Sequence, residues 1–449
     1  MKITLIRPNM NERRSWDAME PLAFAILKSL TPDDVELVCF DDRIEKIPLE
    51  EPTDLVALTV ETFTARRAYQ IAAAYRQRGV PVVMGGYHPT LLPEEAEEHA
   101  DAIVLGDAEG AWENVVEDAR NGTFDKRSLK KRYRGNPTAV LDGALPDRSV
   151  YQGKRYAPVL LSQYGRGCRF NCDFCSITAF YGKDQRQRPV QRVVEEIARS
   201  GRRHVFFVDD NLFVEPEKAR ELFKALIPLN VRWSCQVSID ILRDPELVDL
   251  MARSGCLTAL IGFESLDPVN LKQMRKGWNQ KFIDYPTAVH RLHEAGIMVY
   301  GTFVFGYDND TVDSFDRAVD FALESHLHLA NFNPLTPTPG TPLYDRLHNE
   351  GRLLYDRWWL DPRYRYGAAT FHPRGMSADE LTEGCYRART AFNTVGSMAK
   401  RLFGERCHFR SLRHVGVFLL ANAISRHEIH SKQGSPLGAT TPGATTEIP

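Results

Sequence analysis

The sequence predicts an α/β protein made of two parallel-sheet units. An N-terminal doubly wound, Rossmann-like sheet comes first, then a partial (β/α)6 TIM-type barrel with a helical C-terminal extension. Three observations carry this expectation. Short apolar runs alternate with amphipathic runs from Lys2 to Asn121, and the same alternation returns from Val159 to Asn333. Such βα alternation with short turns buries a parallel sheet under helices. The third is composition: 449 residues, 43% hydrophobic and 26% charged, suit a folded chain of several domains rather than a disordered one.

In chain order, Lys2 to Ile6 reads as a strand and Pro21 to Leu30 as a helix. Val35 to Phe40, Leu55 to Val60, Val80 to Met84 and Ala102 to Leu105 read as further strands. The helices between and after them are Ala65 to Arg78, Pro93 to His99 and Glu109 to Asn121. These make a domain over 1–140. Its basic run from Lys126 to Arg134 and the Pro/Gly-broken stretch after it read as a solvated connector, with 141–157 as linker. Over 158–345, six strands are expected: Val159 to Gln163, His204 to Val208, Arg232 to Val237, Leu257 to Gly262, Met298 to Phe305 and His328 to Asn333. Helical spacing fills the gaps, as at Val190 to Ser200 and Glu215 to Leu226, which is the pattern of a barrel short of eight strands. A C-terminal region over 346–430 holds an aromatic cluster (Trp358, Trp359, Tyr364, Tyr366) and helices at Asp379 to Phe392 and Val415 to His427. The aromatics read as core rather than pocket. Residues 431–449, rich in Gly, Ser, Thr and Pro, are expected to be a disordered tail.

Lys+Arg is 57 and Asp+Glu 59, a net charge of −2, so no basic excess points to nucleic acid. The N-terminus lacks the apolar run of a signal peptide, and no stretch of about 20 apolar residues spans a membrane. A cytoplasmic protein with reduced thiols is expected, so its 8 cysteines read as buried, metal-bound or catalytic. The apolar Val415 to Ala423, preceded by Lys400, Arg401, Arg406, Arg410 and Arg413, reads as a packing helix. Its alternative is peripheral membrane contact through the C-terminal region.

The most informative residues are Cys168, Cys172 and Cys175, spaced C-x3-C-x2-C on a loop after a predicted strand. In a barrel the loops after the strands form the functional face. Three thiolates hold three irons of a [4Fe–4S] cube and leave the fourth open to an external ligand. A structural zinc would need a fourth ligand nearby, and the next histidine is His204. Gly165 and Gly167 allow a close turn, and Arg166 and Arg169 are placed to offset thiolate charge.

This loop, with Phe174 at its aromatic position, resembles the radical S-adenosylmethionine (radical SAM) superfamily. The resemblance implies that the open iron takes the amino and carboxylate groups of SAM, with Phe174 near the adenine. His204-Val205-Phe206-Phe207-Val208-Asp209-Asp210-Asn211 resembles the family's second-strand motif, with Asp-Asp-Asn in place of Gly-Gly-Glu. Asp209 and Asp210 are then acceptors for the SAM ammonium, or else helix caps. Ser238 matches a position that meets the ribose. Glu264 ends an apolar strand, so it is an ion-pair partner or a ribose-hydroxyl acceptor, the second being the expectation. Gly301 to Asp308 and the proline-rich Asn333 to Pro342 match later pieces of the barrel.

Pro81 to Thr90, followed by Pro93-Glu94-Glu95, resembles the cobalamin-binding domain fused to many radical SAM proteins. By that resemblance Thr59, Thr62, Gly85 and Gly86 meet the cobalamin tail, and Gly106 and Glu109 supply a Gly-x-x-Glu turn. The Asp-x-His-x-x-Gly motif is absent, so no histidine of the domain, His88 included, is expected on cobalt. The cofactors implied are a [4Fe–4S] cluster, SAM and cobalamin. The activity implied is a C-methyltransferase acting on an unactivated carbon of a small molecule or lipid, through a 5′-deoxyadenosyl radical and methylcobalamin. A flavodoxin or ferredoxin is implied as electron donor. Oxidative cyclisation or rearrangement, and an inactive metal-binding regulator, are the alternatives.

Overall fold

The computed structural model describes residues 1–124, 131–136, 145–213, 215–279 and 284–439. The first sheet takes its strands from β1 (Lys2–Arg7), β2 (Glu36–Asp41), β3 (Leu55–Thr59), β4 (Val82–Gly85), β5 (Ala102–Leu105) and β6 (Lys131–Arg134). All pairings are parallel, in the order β2-β1-β3-β4-β5-β6. Strands such as Ala102-Ile103-Val104-Leu105 are buried along their whole length, as a sheet covered on both faces requires. The strand order reverses between β1 and β3, which opens a crevice at their carboxyl ends.

β6 departs from the expectation of a connector at this point. Lys-Arg-Tyr-Arg carries no apolar alternation, yet it forms the sheet's edge, where charged side chains discourage further pairing. Two of its charges are matched: Lys131 reaches Asp118 at 2.8 Å, and Arg132 pairs with Glu97. The rest of the basic run, 125–130, and 137–144 lie outside the described residues. Residues 145–157 are anchored at two points, with Ser149, Gln152, Gly153 and Arg155 exposed. Tyr151 is buried, and Arg148 pairs with Glu20 of the first domain and Glu196 of the second.

The second unit begins at β7 (Leu160–Ser162). A short antiparallel ribbon, β8 (Gly165–Arg166) with β9 (Arg186–Gln187), brackets the cysteine loop. β10 (His204–Phe207), β11 (Arg232–Gln236), β12 (Cys256–Glu264), β13 (Met298–Phe305) and β14 (Leu329–Pro334) complete an all-parallel sheet with β7. Its order is β14-β13-β12-β11-β10-β7, a six-stranded partial barrel. Helices between successive strands cover it, among them Val190–Ser200, Pro216–Leu226, Pro245–Arg253, Tyr285–Ala295 and Asp313–Glu324.

The C-terminal region ties both units together. Trp358, Trp359 and Tyr364 sit in the core of the first domain with Leu58, Tyr69 and Met84, so the aromatic cluster is core. Helices Ala378–Phe392 and Val395–Gly404 follow, and then helix Leu412–Lys432. The disordered tail does not begin at 431. Leu437 and Ala439 are buried, Gly438 bridges Asn11, and Gln70 and Ala439 exchange backbone-to-amide hydrogen bonds. Composition concealed this, because a Gly/Pro-rich stretch needs only two apolar anchors to dock. Residues 440–449 lie outside the described residues.

Candidate active site

The loop between β7 and helix Ser176–Tyr181 carries Cys168, Cys172 and Cys175, all as free thiols. Two neighbouring strand ends hold it. Asp209, just past β10, accepts hydrogen bonds from the amides of Tyr164 (3.0 Å) and Gly165. Asp210 accepts from the amide of Gly167 at 2.9 Å. Asp173 accepts from the Tyr307 hydroxyl at 2.6 Å, joining the loop to the turn after β13. Gly167 adopts φ +86°, where a Cβ would strike the Asp184 carbonyl, so the loop's close turn needs glycine.

These contacts give the two aspartates a structural role. Each accepts from the backbone of the cysteine loop and so shapes it, Asp209 through both oxygens and Asp210 through one. Burial pushes Asp209 up to about 7 against the pull of the two amides, and raises Asp210 as well. The residue beside them, Asn211, was missed. Its amide nitrogen lies 3.9 Å from Cys168 Sγ and 3.0 Å from Ser238 Oγ, and its oxygen accepts from the Ser238 amide. Ser238 in turn donates to Asp240, whose other oxygen pairs with Arg169.

Glu264 ends β12 at φ +64° with its carboxylate 2.8 Å from Lys276 Nζ. The structure shows the ion pair, made through one carboxylate oxygen. Gly262 makes room for the pair: a Cβ there would lie 2.1 Å from Glu264 Oε1. Lys276 escaped the sequence reading because it lies in no motif. Burial works against its ammonium, but Glu264 and the nearby Cys172 outweigh it and hold Lys276 above its ordinary value. Burial raises all three cysteine thiols, Cys172 to about 12. Binding iron therefore displaces protons. Phe174 packs against the barrel core, and Phe170 stacks on Trp278 at 3.6 Å.

Arg166 and Arg169 do not serve the thiolates as expected. Arg169 is taken by Asp240. Arg166 crosses to the first domain, 2.8 Å from both Asp107 and Glu109, and Arg186 also reaches Asp107 at 2.6 Å. Glu109 is thereby an interdomain tie, held below the usual carboxylate range by Arg166 against its own burial.

A cavity of about 400 Å³ opens at the carboxyl ends of the first sheet. Thr59, Gly85, Gly86, Gly106 and Glu109 line it from the first domain; Arg166, Phe180, Tyr181 and Asp210 line it from the second. Gly86 has φ +108°, and a Cβ would come within 2.9 Å of the Val60 carbonyl. Thr62 is not part of the lining. It is buried beside His88, whose Nδ1 lies 3.4 Å from its hydroxyl. The His88 ring is fully buried, with Nε2 2.9 Å from Glu95 and 3.0 Å from the Tyr69 hydroxyl. Trp359 donates to the same Glu95 at 2.9 Å.

The radical SAM superfamily matches residues 162–322, and the B12 binding domain matches residues 20–116. Bacteriochlorophyllide d C-12(1)-methyltransferase of Chlorobaculum tepidum is 31% identical over 397 residues, covering 86% of this chain and 85% of the relative. The chain belongs to the B12-binding radical SAM enzymes. Anaerobic magnesium-protoporphyrin IX monomethyl ester cyclase of Cereibacter sphaeroides is similar at 26% identity over 384 residues, covering 78% of this chain and 61% of that protein. The fold matches the radical SAM methyltransferase TsrM from Kitasatospora setae, a structure with cobalamin and a [4Fe–4S] cluster bound. The TM-score is 0.64 at 16% identity, over 85% of this chain and 81% of that one.

Membership brings the family's cofactors, a [4Fe–4S] cluster, SAM and cobalamin, and the residues of this radical SAM enzyme fit them. Cys168, Cys172 and Cys175 are three free thiols on one loop, the donor set for three irons of a cube. The cavity lies at the strand ends, where a doubly wound sheet takes its ligand, and Gly85, Gly86 and Gly106 leave part of its first-domain wall without side chains.

Proposed function

We propose that this enzyme methylates an unactivated carbon of a small molecule or lipid. The observation that carries the reading is the cavity shared by the two domains: its walls come from the B12 domain and from the segment around the cysteine loop. When bound, the cluster and SAM supply one-electron cleavage to a 5′-deoxyadenosyl radical, and cobalamin supplies the methyl group. Cys168, Cys172 and Cys175 would hold the cluster, with Asn211 directed at Cys168 and Lys276 near Cys172. Ser238, Glu264 and Phe174 would meet SAM, the free carboxylate oxygen of Glu264 being the ribose acceptor. Thr59, Gly85, Gly86 and Gly106 would take the cobalamin tail. Asp209, Asp210 and Glu109 act one step back, by fixing the loop and the domain contact. No side chain is assigned as acid or base, since the protein's share is placement and exclusion of water.

The electron comes from a low-potential carrier such as a flavodoxin or ferredoxin, in the reducing cytoplasm. The test uses anaerobically reconstituted enzyme, SAM labelled in its methyl group, and bacteriochlorophyllide d as probe, the compound in the relative's name. Labelled product, with S-adenosylhomocysteine and 5′-deoxyadenosine in near-equal amounts, supports the proposal. Deoxyadenosine coupled to an unlabelled product, without S-adenosylhomocysteine, favours the second reading, an oxidative cyclase, for which the similar cyclase is the specific observation.

A further inference from the structure

The barrel face opposite the cysteine loop carries a second recess that the proposed reaction leaves unused. It is a hollow of about 710 Å³ beneath the amino ends of β11 and β12, closed by the segment leading into helix Leu412–Lys432. Arg232, Arg253, Arg410 and Arg413 line it. A smaller hollow of about 330 Å³ shares Arg232 and Arg413 and adds Arg202 and Arg203. Asp249, the one carboxylate on either lining among the described residues, stands 3.4 Å from Arg253. Arg202 pairs with Glu20. Arg203, Arg232, Arg410 and Arg413 make no ion pair among the described residues. The chain as a whole is at −2, so this excess is local.

Apolar side chains stand out beside the charge. Leu412, on the rim of the larger hollow, is 91% exposed, and Phe403 is 74% exposed. Helix Leu412–Lys432 buries Phe418 and Asn422 against the body. Positions 412, 419 and 420 fall on one helical face, and Leu419 and Leu420 are both exposed there, with exposed Phe409 just before the helix.

We propose that this surface docks on the anionic face of a lipid bilayer. Arginines without a carboxylate beside protruding leucine and phenylalanine match headgroup phosphates lying over acyl chains, two features that an acidic protein surface does not offer together. Distance disfavours an acidic redox donor here. β12 runs nine residues from Cys256 at the hollow to Glu264 at the cluster face, about 26 Å at strand rise. Electron transfer falls off steeply over such a span. Docking by this end holds the enzyme at the membrane and leaves the cluster face open to its electron donor and substrate.

The test is co-sedimentation of the reconstituted full-length enzyme with vesicles of phosphatidylcholine alone, or with one quarter phosphatidylglycerol. It needs no turnover, so its outcome is independent of the methylation reading. Binding is expected on the phosphatidylglycerol vesicles, falling as salt rises. Each basic side chain beside an anionic leaflet adds about a fivefold factor, so R410A/R413A should bind about 25-fold more weakly. L412D should also weaken binding. R363A/R374A, which removes two exposed arginines away from this end of the barrel, should match the unaltered enzyme. Corrinoid and iron content of each variant verify that it is folded. Equal binding to both vesicle types, or an equal weakening in R363A/R374A, overturns the proposal. So does an R410A/R413A enzyme that no longer binds flavodoxin yet sediments with the vesicles as the unaltered enzyme does.

Discussion

Replacing Lys276 by methionine isolates what holds the carboxyl end of β12. The substitution keeps the length of the side chain and strands Glu264, 8% exposed, without the ammonium now 2.8 Å away. Removing one partner of a buried pair costs about 3–5 kcal/mol, because the remaining charge is left in low dielectric. A proton offers an escape. Keeping a carboxyl with an ordinary value of about 4.3 neutral at pH 7 costs about 1.4 kcal/mol per pH unit, close to 4 kcal/mol in all. At pH 5 the same neutralisation costs about 1 kcal/mol. K276M should therefore be destabilised by about 4 kcal/mol at pH 7 and by about 1 kcal/mol at pH 5, whereas K276M/E264Q should lose the pH dependence. Anaerobic urea unfolding of each variant, read by circular dichroism at both pH values, measures this. A K276M penalty that is equal at the two pH values, or below about 1 kcal/mol at pH 7, would refute the reasoning.

Further expectations concern the cysteines, the cofactor cradle and the C-terminal helices. C168A, C172A or C175A should each abolish SAM cleavage, while C39A, C235A, C256A, C385A and C407A should leave iron content largely intact by iron assay. G86A places a Cβ 2.9 Å from the Val60 carbonyl at φ +108°. It should lower thermal stability and corrinoid retention together, read by melting and by visible absorbance. His408 donates its Nδ1–H to the Arg401 carbonyl at 2.8 Å and leaves Nε2 without a partner, so burial holds it at about 3; burial also pushes His328 well down. Both are depressed, so their contribution to stability is full above about pH 6.5 and is lost as pH falls, by about 1.4 kcal/mol per unit for each ring; H408Q should reduce the slope by about that amount in acid titrations of stability.

The sequence exposed what depends on periodicity and spacing. All six barrel strands and five of the six in the first sheet follow from apolar runs, since a sheet buried on both faces leaves continuous hydrophobic segments. The cysteines were legible because their spacing is itself the chemistry. The partners of charged groups were not. Local pattern points Asp209, Asp210 and Glu264 at a ligand and is silent on the amides of Tyr164, Gly165 and Gly167 and the ammonium of Lys276 that they meet within the protein. Those partners lie 12 to 45 positions away, and no local pattern encodes which strand end faces which loop. β6 and residues 431–439 failed for a related reason. Each is held by a few long-range contacts, and composition reports only the absence of local ones.

The carboxylates around the shared cavity bear on how the enzyme works. Glu61 stands 3.4 Å from Arg7, Asp107 pairs with Arg166 and Arg186, Glu109 with Arg166, and Asp210 accepts from the Gly167 amide. Each of these acids is committed to holding something in place. A site built for proton transfer would instead keep a carboxylate or imidazole free of such ties. The arrangement suits hydrogen-atom and methyl transfer, where the reacting groups come from cofactors and the protein must fix the distance between them. Arg166 is central to that task, because it is part of the cysteine loop and is anchored through Asp107 and Glu109 to the turn after β5. Any shift of the B12 domain therefore pulls directly on the residues next to Cys168.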